Sequence, residues 1–268
     1  MERISFTEFT AGRPLESFHA NLTIGVFDGV HRGHISILSH CLENRRKDTL
    51  ALVMTFNVNP KMLCGTMKRR LPLTTQEQRS RIFEKLGFDK EIVIDFSPEF
   101  SKLSADRFLD SVFASVKVDK VIVGEDFRCG EPTTSYGASQ LREYLLRKYP
   151  ATVLVVPPAV LDCKGKVISS SMVRKQLVEG RLDIVRELLG RPYLLDLGST
   201  PSHVSGSCLY YKREELKQLL PRQGLYDARV AGNSEPVSVR IDAHVLEVDT
   251  EDTFLLQKNG LELIQPKG

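Results

Sequence analysis

A chain of 268 residues, 41% apolar and 26% charged, can bury the core of one large or two modest domains and does not fit disordered, collagen-like or coiled-coil classes. Its 37 Lys and Arg against 34 Asp and Glu leave a net charge of +3, too mild to suggest a nucleic-acid or membrane-surface partner, while small anionic substrates stay open. No apolar run approaches the roughly 20 residues of a membrane-spanning helix, the opening Met-Glu-Arg-Ile-Ser-Phe lacks secretory character, and five cysteines without a C-x-x-C pair suggest neither a disulfide framework nor a zinc site, so a cytoplasmic setting is expected.

Short, often β-branched runs alternate with amphipathic stretches from residue 22 to 156, which predicts an α/β fold built of βα units around a parallel sheet. Strands are expected at 22–26, 50–56, 92–95, 118–124 and 152–156, with helices at 34–46, 75–86, 105–115 and 139–148. Residues 56–73 form a long connection and a candidate substrate loop. Two further helices, 170–179 and 183–189, each end at a glycine. Beyond Gly190-Arg191-Pro192-Tyr193 the chain turns Gly/Ser/Pro-rich with alternating segments such as 237–241, predicting antiparallel strands. The expected division is therefore a domain over 1–189 and a small β-rich, barrel-like domain over 190–268.

The strongest local signal is Gly25-Val26-Phe27-Asp28-Gly29-Val30-His31-Arg32-Gly33-His34, between the first predicted strand and helix. In an open α/β sheet ligands bind at the carboxyl ends of strands, and the unpaired N–H groups of a helix start attract anions. Gly25, Gly29 and Gly33 would let backbone approach a phosphate, and His31 and His34, three apart, could face it from one helical turn. The segment is neither a P-loop nor a dinucleotide fingerprint. A plain glycine-rich turn and a two-histidine metal site are the alternatives, the second lacking an acidic or Cys partner at ligand spacing. Asp28 reads as a turn stabiliser rather than a general base. Ser169-Ser170-Ser171 with Arg174 one turn later reads as a helix start rich in donors.

This H-x-G-H segment resembles that of Rossmann-like nucleotidyltransferases, and the first domain resembles the FMN adenylyltransferase module of the prokaryotic bifunctional riboflavin kinase/FAD synthetase family. Five further stretches carry the likeness in order: Thr55-Phe56 with Pro60, Leu73-Thr74-Thr75, Val123-Gly124 with Asp126-Phe127-Arg128 and Gly130, Ile168 to Arg174, and Leu188 to Tyr193. The resemblance implies that FMN attacks the α-phosphorus of ATP, giving FAD and pyrophosphate, with Mg²⁺ accompanying the nucleotide and no metal ligand from the protein. It assigns His31, His34 and Arg174 to catalysis. Gly25, Val26, Phe27, Asp28, Gly29, Gly33, Gly124, Asp126, Ser170 and Ser171 would bind ATP, and Phe56, Asn59, Pro60, Phe127 and Arg128 the flavin. Phe127 beside a strand also fits core packing. Two positions depart from the family: Asn59 stands where a histidine between two prolines is usual, and Cys129 where a phenylalanine is usual.

Traces of the family's riboflavin kinase barrel survive at 219–226 and 241–246, but its Pro-Thr-Ala-Asn segment has no counterpart between Tyr193 and Leu219, and Asp242 stands where the kinase uses a glutamate base. The chain also stops at Gly268, before the kinase's helical tail. The expected function is FMN adenylyltransferase without kinase activity. A bifunctional enzyme and a non-catalytic flavin- or nucleotide-binding protein are the alternatives.

Overall fold

The computed structural model describes residues 1–12, 15–60, 71–233, 235–250 and 260–267. Contacts divide the chain into two units: Met1–Phe27, Gly33–Lys68 and Ser80–Leu161 form one, and Asp28–Arg32, Arg69–Arg79 and Asp162–Gly268 the other.

The first unit is organised around strands β1 (Glu2–Ser5), β2 (Leu15–Ile24), β3 (Thr49–Phe56), β4 (Lys90–Ile94), β5 (Val116–Ile122) and β6 (Val153–Val155). They form one sheet in the order β1-β4-β3-β2-β5-β6, with every pairing parallel. Five of the strands fall where β-branched runs predicted them. Leu52, Met54, Ile92 and Ile94 are wholly buried because a parallel sheet is covered on both faces. β2 begins seven residues earlier than expected, since its first half is largely exposed and carries no apolar signal.

β1 was not foreseen. It is four residues long, mostly exposed and at the sheet edge. Its anchor is the fully buried Glu91, whose carboxylate accepts from Arg3 and from the Ser80 hydroxyl. Such a buried charge is tolerable only when paired.

The helices in chain order are α1 (Phe6–Ala11), α2 (Arg32–Leu42), α3 (Gln76–Leu86), α4 (Ala105–Phe113) and α5 (Ala138–Lys148). In α4 the residues Ala105, Phe108, Leu109 and Val112 recur at helical spacing and are buried, and Ser104 caps its start. Their face joins Leu141, Tyr144 and Leu145 of α5 in the core with Leu22, Val121 and Val123.

Among the described residues the second unit holds α6 (Ser170–Val178), α7 (Leu182–Leu189) and the strands β7 (Tyr193–Leu195), β8 (His203–Ser205), β9 (Cys208–Lys212), β10 (Gly224–Val230), β11 (Pro236–Ile241), β12 (Val245–Asp249) and β13 (Leu261–Pro266). They pair antiparallel in the order β7-β13-β10-β11-β12-β9-β8. Burial alternates along β10 and β12, as expected of a sheet with one face on a core. Composition changes at residue 190, yet contacts group residues 162–189 with this unit because α7 packs on β7 and β13. Gly190 ends α7 in the left-handed conformation, with φ 73°.

Among the described residues no helix is long and apolar enough to cross a membrane. Much of the predicted 56–73 loop, with Cys64 and the basic triplet 68–70, lies outside the described residues.

Candidate active site

Where the chain leaves β2 it makes a turn in unusual backbone conformations. Phe27, Gly29 and Val30 have φ of 51°, 83° and 40°. For valine this is a costly geometry, because its branched Cβ crowds the backbone, and such strain of order 1–3 kcal/mol persists only where the surroundings over-determine it.

The surroundings do so. Asp28 is 3% exposed, and its Oδ1 accepts the backbone N–H of Leu73 at 2.7 Å and of Thr74 at 3.3 Å. Its Oδ2 accepts Arg174 Nη2 at 2.9 Å, while the other arm of that guanidinium donates to the Leu71 carbonyl at 2.5 Å. The Gly29 N–H donates to Thr74 Oγ1 at 2.9 Å, and Ser170 Oγ donates to the Asp28 carbonyl at 2.8 Å. Arg191 donates to the carbonyls of Gly29 at 2.7 Å and Val30 at 2.8 Å. A side chain at Gly29 would be strained by its φ of 83° and crowded, since a Cβ would stand 3.0 Å from Leu73 Cδ1. Within this unit the structure therefore brings Asp28, Gly29, Ser170 and Arg174 together. Ser171, in the first turn of α6, is exposed.

His31 is 4% exposed and precedes α2, which starts at Arg32. His31 and His34 thus do not both lie within the helix as the spacing suggested: His31 stands just before α2, and His34 lies in its first turn with Arg32 and Gly33. Burial first, then the Arg191 guanidinium, pull the His31 imidazole down to about 4, so it is neutral at pH 7.

In the first unit, Gly25 donates to the Met54 carbonyl at 3.1 Å and the Val26 carbonyl accepts from Thr55 Oγ1 at 3.3 Å, stitching the end of β2 to β3. The Phe27 ring folds back over Gly25, where a Cβ would stand 2.8 Å from Phe27 Cζ. That ring is 2% exposed and meets His34 edge-on at 5.3 Å and Phe83 at 5.8 Å, so it braces His34.

Past β5, Gly124 is crowded by Asp126 Oδ1, 3.1 Å from where a Cβ would stand, and Asp126 itself is exposed. Phe127, 8% exposed, belongs to the hydrophobic core, and Arg128 donates to the Phe127 carbonyl at 3.1 Å. Phe56, half-buried at the end of β3, packs edge-on against Phe96 and Phe100; Asn59 and Pro60 are half-buried just beyond. Burial pushes the Cys129 thiol up to about 12, so it is no thiolate at neutral pH.

Sequence reasoning missed the clasp around the turn. Leu73-Thr74 and Arg191 were noted as motif letters without a role. The available signal was Gly190, a helix-ending glycine followed by a lone arginine.

A parallel α/β sheet whose central strand runs into a tightly held Gly/His turn and a helix start defines a Rossmann-like nucleotidyltransferase, an enzyme class. Residues 15–172 match the FAD synthetase family, and the chain belongs to it. It is similar to the bifunctional riboflavin kinase/FMN adenylyltransferase of Escherichia coli K12, 30% identical over 222 residues that cover 80% of this chain and 69% of the relative. The FAD synthetase of Listeria monocytogenes is 27% identical over 181 residues, 67% of this chain and 72% of that one. Among solved structures, one titled a macrolide-efflux protein from Streptococcus pneumoniae shares the fold, with TM-score 0.74 at 22% identity over 95% of this chain and 94% of its own.

Proposed function

We propose that the chain transfers AMP from ATP to FMN, giving FAD and pyrophosphate, and does not phosphorylate riboflavin. The observation that carries the first half is the strained, side-chain-clasped turn between β2 and α2 in a chain of the FAD synthetase family. A phosphate oxygen of FMN attacks the α-phosphorus of ATP; that O–P bond forms as the bond to the bridging oxygen of pyrophosphate breaks. FMN phosphate is already ionised at neutral pH, so no general base is required. The protein's task is alignment and neutralisation of charge building on the α-phosphate and the leaving pyrophosphate.

The neutral His31 would donate an N–H without bringing a charge, with His34 donating from the first turn of α2 near the positive end of that helix. Gly25 to Gly29, Gly33, Gly124, Asp126, Ser170, Ser171 and Arg174 are assigned to ATP, and Phe56, Asn59, Pro60 and Arg128 to the flavin side. The core position of Phe127 gives it a packing role behind them. Mg²⁺ would accompany the triphosphate as part of the substrate.

For the kinase half, Asp242 forms the turn between β11 and β12. Its carboxylate accepts the N–H groups of His244 and Val245, both at 2.8 Å, and these bonds hold it below the usual carboxylate range. A carboxylate engaged in this way is a poor proton acceptor.

Chromatography of flavins after incubation with ATP and Mg²⁺, separately with FMN and with riboflavin, tests both halves. FAD from FMN and nothing from riboflavin is expected. FMN from riboflavin would overturn the second half, and no product from FMN the first.

A further inference from the structure

Three backbone carbonyls converge on one side chain. Arg191 Nη1 donates to the Val30 carbonyl at 2.8 Å and to the Leu189 carbonyl at 3.2 Å, and Nη2 donates to the Gly29 carbonyl at 2.7 Å. Leu189 is the last residue of α7, so the guanidinium sits at the negative end of a helix. Gly190 makes this possible, because its left-handed conformation stops α7 and returns the next residue toward the helix end. The other two carbonyls belong to residues in left-handed conformations, and the following residue is His31. A planar fork can bridge several carbonyls at once, which a single ammonium at the end of a flexible stem does poorly.

We infer that Arg191 is a positioning residue for adenylyl transfer: by tying the carbonyls of Gly29 and Val30 to the end of α7 it holds the strained turn that delivers His31. The inference rests on the adenylyl-transfer reading above. Arg191 acts here through the backbone and needs no contact with substrate. Its charge acts in the same direction, since a guanidinium beside His31 disfavours the imidazolium form.

The test compares Arg191→Ala and Arg191→Lys with the unaltered chain, following FAD formation from FMN and ATP per folded molecule, the KM for FMN, and thermal unfolding. The unaltered chain must first make FAD. If it does not, the adenylyl-transfer reading fails and this inference with it. Given that activity, Arg191→Ala is expected to lower kcat by about 10- to 100-fold, the scale of a misplaced catalytic group, with the KM for FMN within about threefold. Millimolar guanidinium ion, supplied as the rescue probe, should restore a substantial part of the lost kcat.

A purely structural role would lower the melting temperature and leave kcat per folded molecule unchanged, and that result overturns the inference. A loss of kcat that guanidinium does not restore also overturns it. If Arg191→Ala does not fold, Arg191→Lys carries the decision, because it keeps the charge and most of the stem. A folded Arg191→Lys with kcat about tenfold down supports the inference, and one with unaltered kcat refutes it.

Discussion

His31, proposed above as a donor to the reacting phosphates, also bears on stability. Its folded value of about 4 lies below the ordinary 6.5, so the neutral ring contributes to stability in full above pH 6.5, and that contribution is lost as the pH falls toward 4. The difference corresponds to about 3 kcal/mol. Urea unfolding of His31→Gln and of the unaltered chain between these pH values should show the unaltered chain losing about that much more; parallel losses would mean that His31 is not the titrating group. Side-chain types at this site were legible, as the glycines, the two histidines and Asp28 all stood out in one ten-residue segment. Their surroundings were not. The partners of Asp28 and Gly29 are Leu73, Thr74, Ser170, Arg174 and Arg191, and no local pattern announces a bond that spans 142 residues from Ser170 or 146 from Arg174.

Among the elements, the turn between β2 and α2 carries backbone strain at Phe27 and Val30. Gly29→Ala puts a Cβ at φ 83° and 3.0 Å from Leu73 Cδ1, and should cost about 1–3 kcal/mol through backbone strain and crowding together. Denaturant titration checks this, and an unaltered midpoint would show that the turn can relax. The inner strands were legible because a buried parallel strand must be a short apolar run. β1 was illegible for the converse reason. Its four residues are mostly exposed and owe their place to a pairing with β4 and to the buried Glu91. In the second unit only β11 stood out, because strands such as β8 are three residues long and wholly exposed.

At the level of the whole molecule, the contact units do not follow the composition boundary. The turn segment Asp28–Arg32 takes its contacts with Arg69–Arg79 and with residues after 161, although the residues on either side of it belong to the first unit. A fragment ending at Leu189, the boundary that composition suggests, would lack Arg191. It would also lack the Leu194 carbonyl that accepts from Gln78 and the Gln218 amide that donates to the Leu73 carbonyl. Such a fragment should form FAD from FMN at least about tenfold more slowly than the full chain, measured by flavin chromatography. A fragment with the full rate would show that the turn holds its shape without these partners.

The bonds from Arg191 to the carbonyls of Gly29 and Val30 close loops of 162 and 161 residues. During synthesis the turn leaves the ribosome well before its clasp does, by roughly 8–30 s at ordinary translation speeds. Through that interval Val30 has a left-handed backbone to adopt and no Arg191 to hold it there. Closing so long a loop has an entropic cost that local contacts do not share, so the turn belongs among the last parts of the chain to take final form. A nascent chain can therefore assemble its parallel sheet before the turn that follows β2 reaches its final form.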